Sequence, residues 1–301
     1  MSWHRPHGTT SRDGWDVVVE PDASGWEHTG LYAGRLADGE TRAFPAGHRE
    51  HVVVPLSGSV VVVAEGANGR EEAKLEGRTS VFAGATDVAY APAGSSLTVT
   101  GVGDARVAVV FAVTASAEAR FPFRHVAAGD VPVELRGAGI ASREVRNFGT
   151  PGVLDADSII ACEVVTPAGN WSSWPPHKHD EERPGEEAQL EEIYYFEVAP
   201  EAGTPAAAAT DPIGYQRVYG TEHRPIEVLA EVRSGDVVLV PHGWHGPAMA
   251  APGYDLYYLN VMAGPGEERA WLICDDPAHG WVRETWSDLQ VDPRLPLGGT
   301  R

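Results

Sequence analysis

The stretch Trp171-Ser-Ser-Trp-Pro-Pro-His177-Lys-His179 decides how this chain is read. Two histidines stand two positions apart, downstream of the apolar run Asp157-Ser-Ile-Ile-Ala-Cys-Glu-Val-Val165. In an extended chain residues i and i+2 point to one face, so two imidazoles can grip a single divalent ion. Further on, Glu191-Glu-Ile-Tyr-Tyr-Phe-Glu197 offers a carboxylate at the start of another strand. Gly235-Asp-Val-Val-Leu-Val-Pro-His-Gly-Trp-His245 adds a third imidazole beside a turn. Three nitrogens and one oxygen suit zinc, manganese or iron.

Outward from this stretch the chain reads as all-β. Its 301 residues include 34 Gly and 23 Pro, and its apolar runs are short and Val-rich, the pattern of many strands joined by turns. Strands are expected at Asp16–Glu20, over Tyr32–Phe44 with a break at Asp38-Gly39, and as two Val-rich runs on either side of Pro55–Gly58. Ser80-Val-Phe, Asp87–Ala91, Ser96–Thr100 and Ala105–Thr114 continue the series, with 66–77 as a polar hairpin end. After a Pro- and Gly-bearing stretch at 115–146, a second set follows at Ser158–Val165, Glu192–Val198, Tyr215–Tyr219, Ile226–Val232, Asp236–Val240 and Asp255–Met262. Between them lie an acidic loop, Asp180–Glu191, and a small-residue loop, Ala199–Pro212. The tail from Gly264, with Trp271, Trp281 and Trp286, is expected to pack back over a sandwich face or edge. The halves echo each other: Val88-Ala-Tyr-Ala-Pro-Ala-Gly-Ser parallels Val237-Val-Leu-Val-Pro-His-Gly-Trp-His, but only the second carries histidines at its turn. This reads as a duplicated sandwich. Residues 1–138 form a copy without a complete metal site, since His48 and His51 are three apart; residues 139–301 form the metal-bearing copy.

The formal net charge of −20 repels phosphate backbones, so nucleic acid is not an expected partner. An anionic substrate would need local positive charge from a metal or an arginine. Cys162 and Cys274 both sit in apolar runs and read as buried thiols ahead of a disulfide. No apolar run approaches the roughly 20 residues of a membrane span, and Met-Ser-Trp-His-Arg-Pro-His-Gly lacks the apolar region of a signal peptide. A cytoplasmic protein is the expectation, with no membrane partner. A homo-oligomer assembled through sheet edges is compatible with the architecture.

Each candidate has a plainer alternative. Lys178 points away from the histidine face and reads as solvated or structural. On the strand from Glu191, residues Glu192, Tyr194 and Phe196 share one face, and Glu191, Ile193, Tyr195 and Glu197 share the other; alternation alone does not say which face holds the ligand. His245 is favoured over His242 as the third imidazole, leaving His242 as an acid–base group or an exposed side chain. His223 reads as a surface residue. Arg217, beside Gln216 on a strand, is the candidate for a substrate carboxylate, because guanidinium matches carboxylate bidentately; a structural ion pair is equally compatible. Tyr254, Asp255, Tyr257 and Tyr258 form a polar-aromatic strand of core rings or pocket hydroxyls.

The order Gly169…His177-x-His179…Glu192-Ile-Tyr-Tyr-Phe-Glu, then Gly235-(five residues)-Pro241-x-Gly243…His245, resembles the two cupin motifs. Cupins are small jelly-roll barrels that hold one metal on His, His, Glu and His, and the resemblance assigns the carboxylate to Glu192. The chain departs from the general pattern in a long spacer between His179 and Glu192 and in one residue, not two, between Gly243 and His245. The 5-deoxy-glucuronate isomerase family, two-cupin proteins related to the 4-deoxy-5-ketouronate isomerases, resembles this chain more closely. The strings that carry the likeness are Gly77-Arg-Thr-Ser-Val-Phe-Ala-Gly84, Trp174-Pro-Pro-His-Lys-His-Asp180, Glu192-Ile-Tyr-Tyr-Phe, Gln216-Arg-Val-Tyr219, Pro252-Gly-Tyr-Asp-Leu-Tyr-Tyr-Leu-Asn-Val-Met-Ala-Gly-Pro265 and Asp276-Pro-Ala-His-Gly-Trp281. In that family the long acidic spacer is expected.

The resemblance implies a bicupin, two jelly-roll barrels in one chain, with one divalent metal on His177, His179, Glu192 and His245. It implies a small uronate substrate and an aldose–ketose isomerisation of 5-deoxy-D-glucuronate to 2-deoxy-5-keto-D-gluconate, a step of inositol catabolism. The base that carries a proton between C2 and C1 is not fixed by the motifs; His242, a tyrosine of the Tyr254–Tyr258 strand (Tyr254 first) and a glutamate are the candidates. The rival expectations are a 4-deoxy-5-ketouronate isomerase, an iron-dependent cupin dioxygenase and a non-catalytic uronate-binding bicupin.

Overall fold

Val-rich runs between Gly and Pro become strands because branched side chains fit a pleated, buried surface. The structure, a computed structural model, describes residues 2–22, 25–205 and 210–298. The strands Val17–Val19, Thr29–Leu36, Ser96–Val113, Arg49–Gly66, Val88–Ala91 and Arg124–Val126 lie side by side in one eight-stranded sheet. Thr41–Phe44 joins it along Ser96–Val113, and Gly69–Arg78 along Arg49–Gly66. A seven-stranded sheet follows the order His4–Arg5, Val237–Val240, Glu191–Pro200, Tyr254–Ala263, Ile160–Thr166, Arg143–Gly149, Val133–Arg136. Facing it is a four-stranded sheet of Trp171–Ser172, Ala248–Ala250, Gly214–Tyr219 and Glu227–Val232.

Several elements differ from expectation. The two Val-rich runs around Pro55 are one strand, Arg49–Gly66, and Ser96–Val113 is likewise continuous. Their mutual register slips between Pro55 and Ser59. Pro55 has no N–H to give a ladder, and Gly58 sits at φ +74°, where a Cβ would lie 2.5 Å from the Asp104 carbonyl oxygen. The irregularity bends one strand so that its two arms serve different neighbours, Val88–Ala91 on one arm and Gly69–Arg78 on the other. Ser80-Val-Phe is no strand: the Ser80 hydroxyl accepts from the Phe82 N–H at 3.2 Å and caps a short 3₁₀ turn, Val81–Ala83. The boundary expected after residue 138 is crossed by two segments of the first copy. His4–Arg5 pairs with Val237–Val238, and Val133–Arg136 pairs with Arg143–Arg146, so both segments belong to the seven-stranded sheet. Within the expected loop Ala199–Pro212, residues 206–209 lie outside the described residues.

Three apolar clusters explain why so many strands are buried on both faces. One fills the first barrel with Val53, Val60, Val62, Leu75 and Val107. Another fills the second with Val145, Phe196, Val218, Val228 and Tyr258. The largest lies between the halves and takes alternate residues from each, among them Val52, Val54, Ile193, Tyr195 and Leu259. An ion pair bridges this seam. Arg78 ion-pairs with Glu163 across it, and Tyr257 donates to the same carboxylate at 2.6 Å.

A local symmetry fixes the correspondence of the halves. Glu50 accepts from the backbone N–H groups of Asp157, Ser158 and Ile159, just before the strand Ile160–Thr166. Glu191 accepts from those of Glu27, His28 and Thr29, where the strand Thr29–Leu36 begins. Each carboxylate holds the other half's entering chain. Because Glu50 matches Glu191, His51 stands where Glu192 stands. His51 is buried between the Phe44 and Phe111 rings, with neither ring nitrogen hydrogen-bonded.

Candidate metal centre

Alternation on Glu191–Pro200 is settled by this seam. Glu191, Ile193, Tyr195 and Glu197 face the other half, and Glu192, Tyr194 and Phe196 face the interior of the second barrel. Glu192 therefore points to the histidines. His177 and His245 are joined through their backbones by reciprocal bonds of 2.9 and 2.8 Å. The Leu190 N–H donates to the His179 carbonyl at 2.8 Å, two residues before Glu192. The acidic spacer accomplishes this return. Glu187 is fully buried at its centre and accepts from Lys178 Nζ at 2.8 Å, from the Asp180 N–H at 2.8 Å and from Arg183. Asp180 in turn accepts from the Gly243 N–H at 2.8 Å, tying the His-x-His segment to the turn that carries His245. Lys178 is thus structural.

The ring protons can be assigned from the acceptors. Nδ1 of His179 lies 3.1 Å from the Leu190 carbonyl, and Nδ1 of His245 lies 2.8 Å from the Gly243 carbonyl. A carbonyl only accepts, so both Nδ1 atoms carry the proton and both Nε2 atoms present lone pairs. Those Nε2 atoms are 3.0 Å apart, and Glu192 Oε2 lies 3.1 Å from one and 2.9 Å from the other. Three acceptors thus converge in a dry interior, an arrangement that repels itself unless a cation sits among them. His177 completes the group, its Nδ1 buried without a partner. One ligand atom from each of the three histidines lies within 4.8 Å of the others. Burial, then the neighbouring imidazoles, pushes His177 well below the ordinary histidine range, which keeps it neutral as a ligand must be.

His177 and Glu192 open onto a cavity whose other walls include Arg136, Arg143, Ser173, Tyr258, Trp271 and Arg283. Tyr258 and Ser172 share a 2.6 Å hydrogen bond there. The tail closes the site: Cys274–Asp275 pairs with His177–Lys178, and Trp271 and Arg283 come from the same segment.

Three sequence candidates fall elsewhere. Arg217 is on the four-stranded sheet, where it ion-pairs with Glu227 and donates to the Val228 carbonyl at 3.2 Å. Tyr254 pairs with Pro200, at the other end of the strand from Met262, the partner of Glu192; eight residues of strand span roughly 26 Å. His242 is half-buried beyond the turn, near Arg224 and Asp180, and burial first, then Arg224, lowers its proton affinity. Cys274 is half-buried, not buried as expected, and both cysteines are free thiols. Arg143 has no sequence signal: it lies in the Pro- and Gly-bearing stretch 115–146, and Arg143-Glu-Val-Arg-Asn-Phe-Gly149 is a strand buried along its whole length that shows no alternation.

Two jelly-roll barrels packed through a shared apolar seam, with a buried histidine cluster in the second, define a bicupin. More narrowly, the chain belongs to the KduI/IolB family, whose model matches residues 3–282. It is 39% identical over 281 residues to a 5-deoxy-glucuronate isomerase of Geobacillus kaustophilus, covering 93% of this chain and 95% of that one. The crystal structure of an IolB-like protein from Salmonella typhimurium LT2 superposes with a TM-score of 0.80 at 32% identity, over 93% of this chain and 98% of that one. A Bacillus subtilis oxalate decarboxylase, described with Mn(II) centres, superposes at 0.57 over 82% of this chain and 71% of that one. Its identity of 12% makes this a likeness of fold. Among the described residues, no helix is long and apolar enough to cross a membrane.

Proposed function

We propose that the chain is an aldose–ketose isomerase that converts 5-deoxy-D-glucuronate to 2-deoxy-5-keto-D-gluconate with one divalent metal on His177, His179, Glu192 and His245. The observation that carries the reading is the convergence of Nε2 of His179, Nε2 of His245 and Oε2 of Glu192 within 3.1 Å of one another, with both ring protons turned outward. Such a donor set fits a borderline cation and leaves room for substrate oxygens. The bound metal would supply Lewis acidity for an enediolate-forming proton transfer. The carbonyls of Leu190 and Gly243 hold the imidazoles in the required tautomer. Tyr258, its phenol raised above the ordinary range by burial, keeps its proton at neutral pH and hydrogen-bonds as a donor or relay with Ser172. Tyr258 thus replaces Tyr254 as the strand's contribution to the cavity, and His242 has no contact with it. The same reading places the enzyme in the cytoplasm, with the edge strand Glu227–Val232 available for self-association.

The test is NMR in D₂O on metal-analysed protein, with His177→Ala and His179→Ala beside wild type. Wild type converts 5-deoxy-glucuronate and incorporates deuterium, and both variants lose metal and turnover together. Wild type that is loaded with metal yet converts neither this uronate nor 4-deoxy-5-ketouronate would overturn the isomerase reading.

A further inference from the structure

Three arginines are almost fully buried among the described residues: Arg78, Arg143 and Arg146. Arg78 ion-pairs with Glu163, and Arg146 with Glu144 at 2.7 Å. Arg143 has no carboxylate partner among the described residues. Its guanidinium donates only to the Ala141 carbonyl at 3.3 Å and to Ser173 Oγ at 3.1 Å. A guanidinium has five N–H donors, so most of its hydrogen-bonding capacity is unspent. A buried charge in that condition is costly.

The neighbours increase the cost. Arg136 is paired across the ladder with Arg143, like charge opposite like charge. Arg283 lines the same cavity. Both of these have partners, Arg136 in Glu134 at 2.8 Å and Arg283 in Asp275 at 2.8 Å. A chain of net charge −20 thus gathers three cations around one small cavity and leaves the most buried one unpaired. Burial pulls the Arg143 guanidinium down to about 10, still charged at neutral pH.

We infer that Arg143 receives the carboxylate of the substrate, in the same cavity whose other wall is His177 and Glu192, and that this contact selects uronates over neutral sugars. This assignment rests on the isomerase reading. It gives the Arg143 charge its missing partner through a bidentate pair and holds the far end of the substrate while the carbonyl end faces the metal ligands. Arg217, already satisfied by Glu227 on another sheet, takes no part.

Arg143→Gln, Arg143→Lys and Arg217→Gln are compared with wild type for metal content, melting temperature, KM and kcat. A hydrogen bond to a charged group contributes about 1.5–3 kcal/mol, so KM should rise about 10- to 150-fold in Arg143→Gln, partly recover in Arg143→Lys and stay within twofold in Arg217→Gln. Isothermal titration of metal-loaded protein with D-glucuronate and with D-glucose supplies a readout independent of turnover. Wild type prefers the acid, and Arg143→Gln loses that preference. An Arg143→Gln protein that folds, keeps its metal and still prefers the acid overturns the assignment. If Arg143→Gln does not fold, Arg143→Lys decides: wild-type KM and wild-type preference overturn it. A wild type that binds glucuronate but isomerises neither 5-deoxy-glucuronate nor 4-deoxy-5-ketouronate defeats the isomerase reading alone, and the titrations still judge Arg143.

Discussion

Replacing His51 by Leu should stabilise the protein, and by more at pH 5 than at pH 8. His51 is 1% exposed, and neither ring nitrogen has a hydrogen-bond partner. Two separate costs follow. The first is independent of pH: leaving a buried polar group unpaired costs about 1–3 kcal/mol, and leucine, similar in volume and apolar, removes that cost. The second is linked to protons. Burial, then the nearby Arg49 charge, lowers the His51 imidazole to about 3 from its ordinary 6.5. The folded state keeps the ring neutral while the unfolded state protonates it below 6.5, so stability falls as pH falls from 6.5 toward 3. At pH 5 the unfolded state gains about 2 kcal/mol that it does not have at pH 8. The leucine variant should therefore exceed wild type by a margin that widens by about 2 kcal/mol between those pH values. Urea unfolding of both proteins at pH 8 and pH 5 measures the margin. Metal analysis and turnover at pH 8 should be unchanged, because His51 lies in the first barrel, away from His177, His179 and His245. A margin that is the same at both pH values, or a drop in metal content on substitution, refutes the reasoning and makes His51 a solvated or ligating group.

The other predictions probe the site and the seam. Glu192→Gln replaces a carboxylate with an amide that can donate to the Nε2 lone pair of His179 or His245, 3.1 and 2.9 Å away. Metal affinity should fall at least about 10-fold while the chelator-treated variant melts no lower than chelator-treated wild type, and differential scanning fluorimetry with and without added Mn²⁺ or Zn²⁺ checks both halves. Arg78→Met leaves the buried Glu163 charge without its main partner, with only the Tyr257 hydroxyl at 2.6 Å and Arg146 at 3.8 Å beside it, and should cost about 3–5 kcal/mol. The double variant Arg78→Met/Glu163→Leu should recover much of that loss in urea unfolding; a single-variant cost under about 1 kcal/mol would show the pair to be solvated.

What the sequence made legible follows the range of the forces involved. The His-x-His spacing, the strand-borne acid and the turn histidine are local patterns, and the structure brings all four side chains together. The class of fold was legible for the same reason, since Val-rich alternation and turn residues act over a few positions. The substrate-facing residues were not, because a side chain's neighbours across a barrel are set by topology. Arg217 and Arg143 are both strand arginines in an acidic chain, and nothing nearby in sequence separates them. Only the partner does: the Glu227 carboxylate for Arg217, and for Arg143 a carbonyl and a hydroxyl with no carboxylate among the described residues. Tyr254 and Tyr258 share a strand and a residue type, yet only Tyr258 reaches the cavity. Continuity of Arg49–Gly66 was hidden too: Pro55 and Gly58 mimic a turn, and the bent strand survives them because each arm finds its own pairing partner.

The seam also explains why a barrel without the histidine cluster accompanies the one that has it. Glu191 and Glu192 are adjacent and point opposite ways. Glu191 is clamped by three backbone N–H groups and a hydroxyl of the first half, with distances of 2.7–3.0 Å. Charge-assisted bonds of that kind tolerate little displacement. Holding Glu191 fixes the backbone of the next residue, and with it the position from which Glu192 reaches His179 and His245. The first barrel thus acts on the site through the strand it grips and contributes no ligand. Its own equivalent position has been free to become His51, packed between Phe44 and Phe111. On this argument Glu191→Gln, which keeps the shape and some of the hydrogen bonds, should weaken metal binding more than it lowers the melting temperature. His51→Leu should do the reverse, raising stability and leaving the metal untouched.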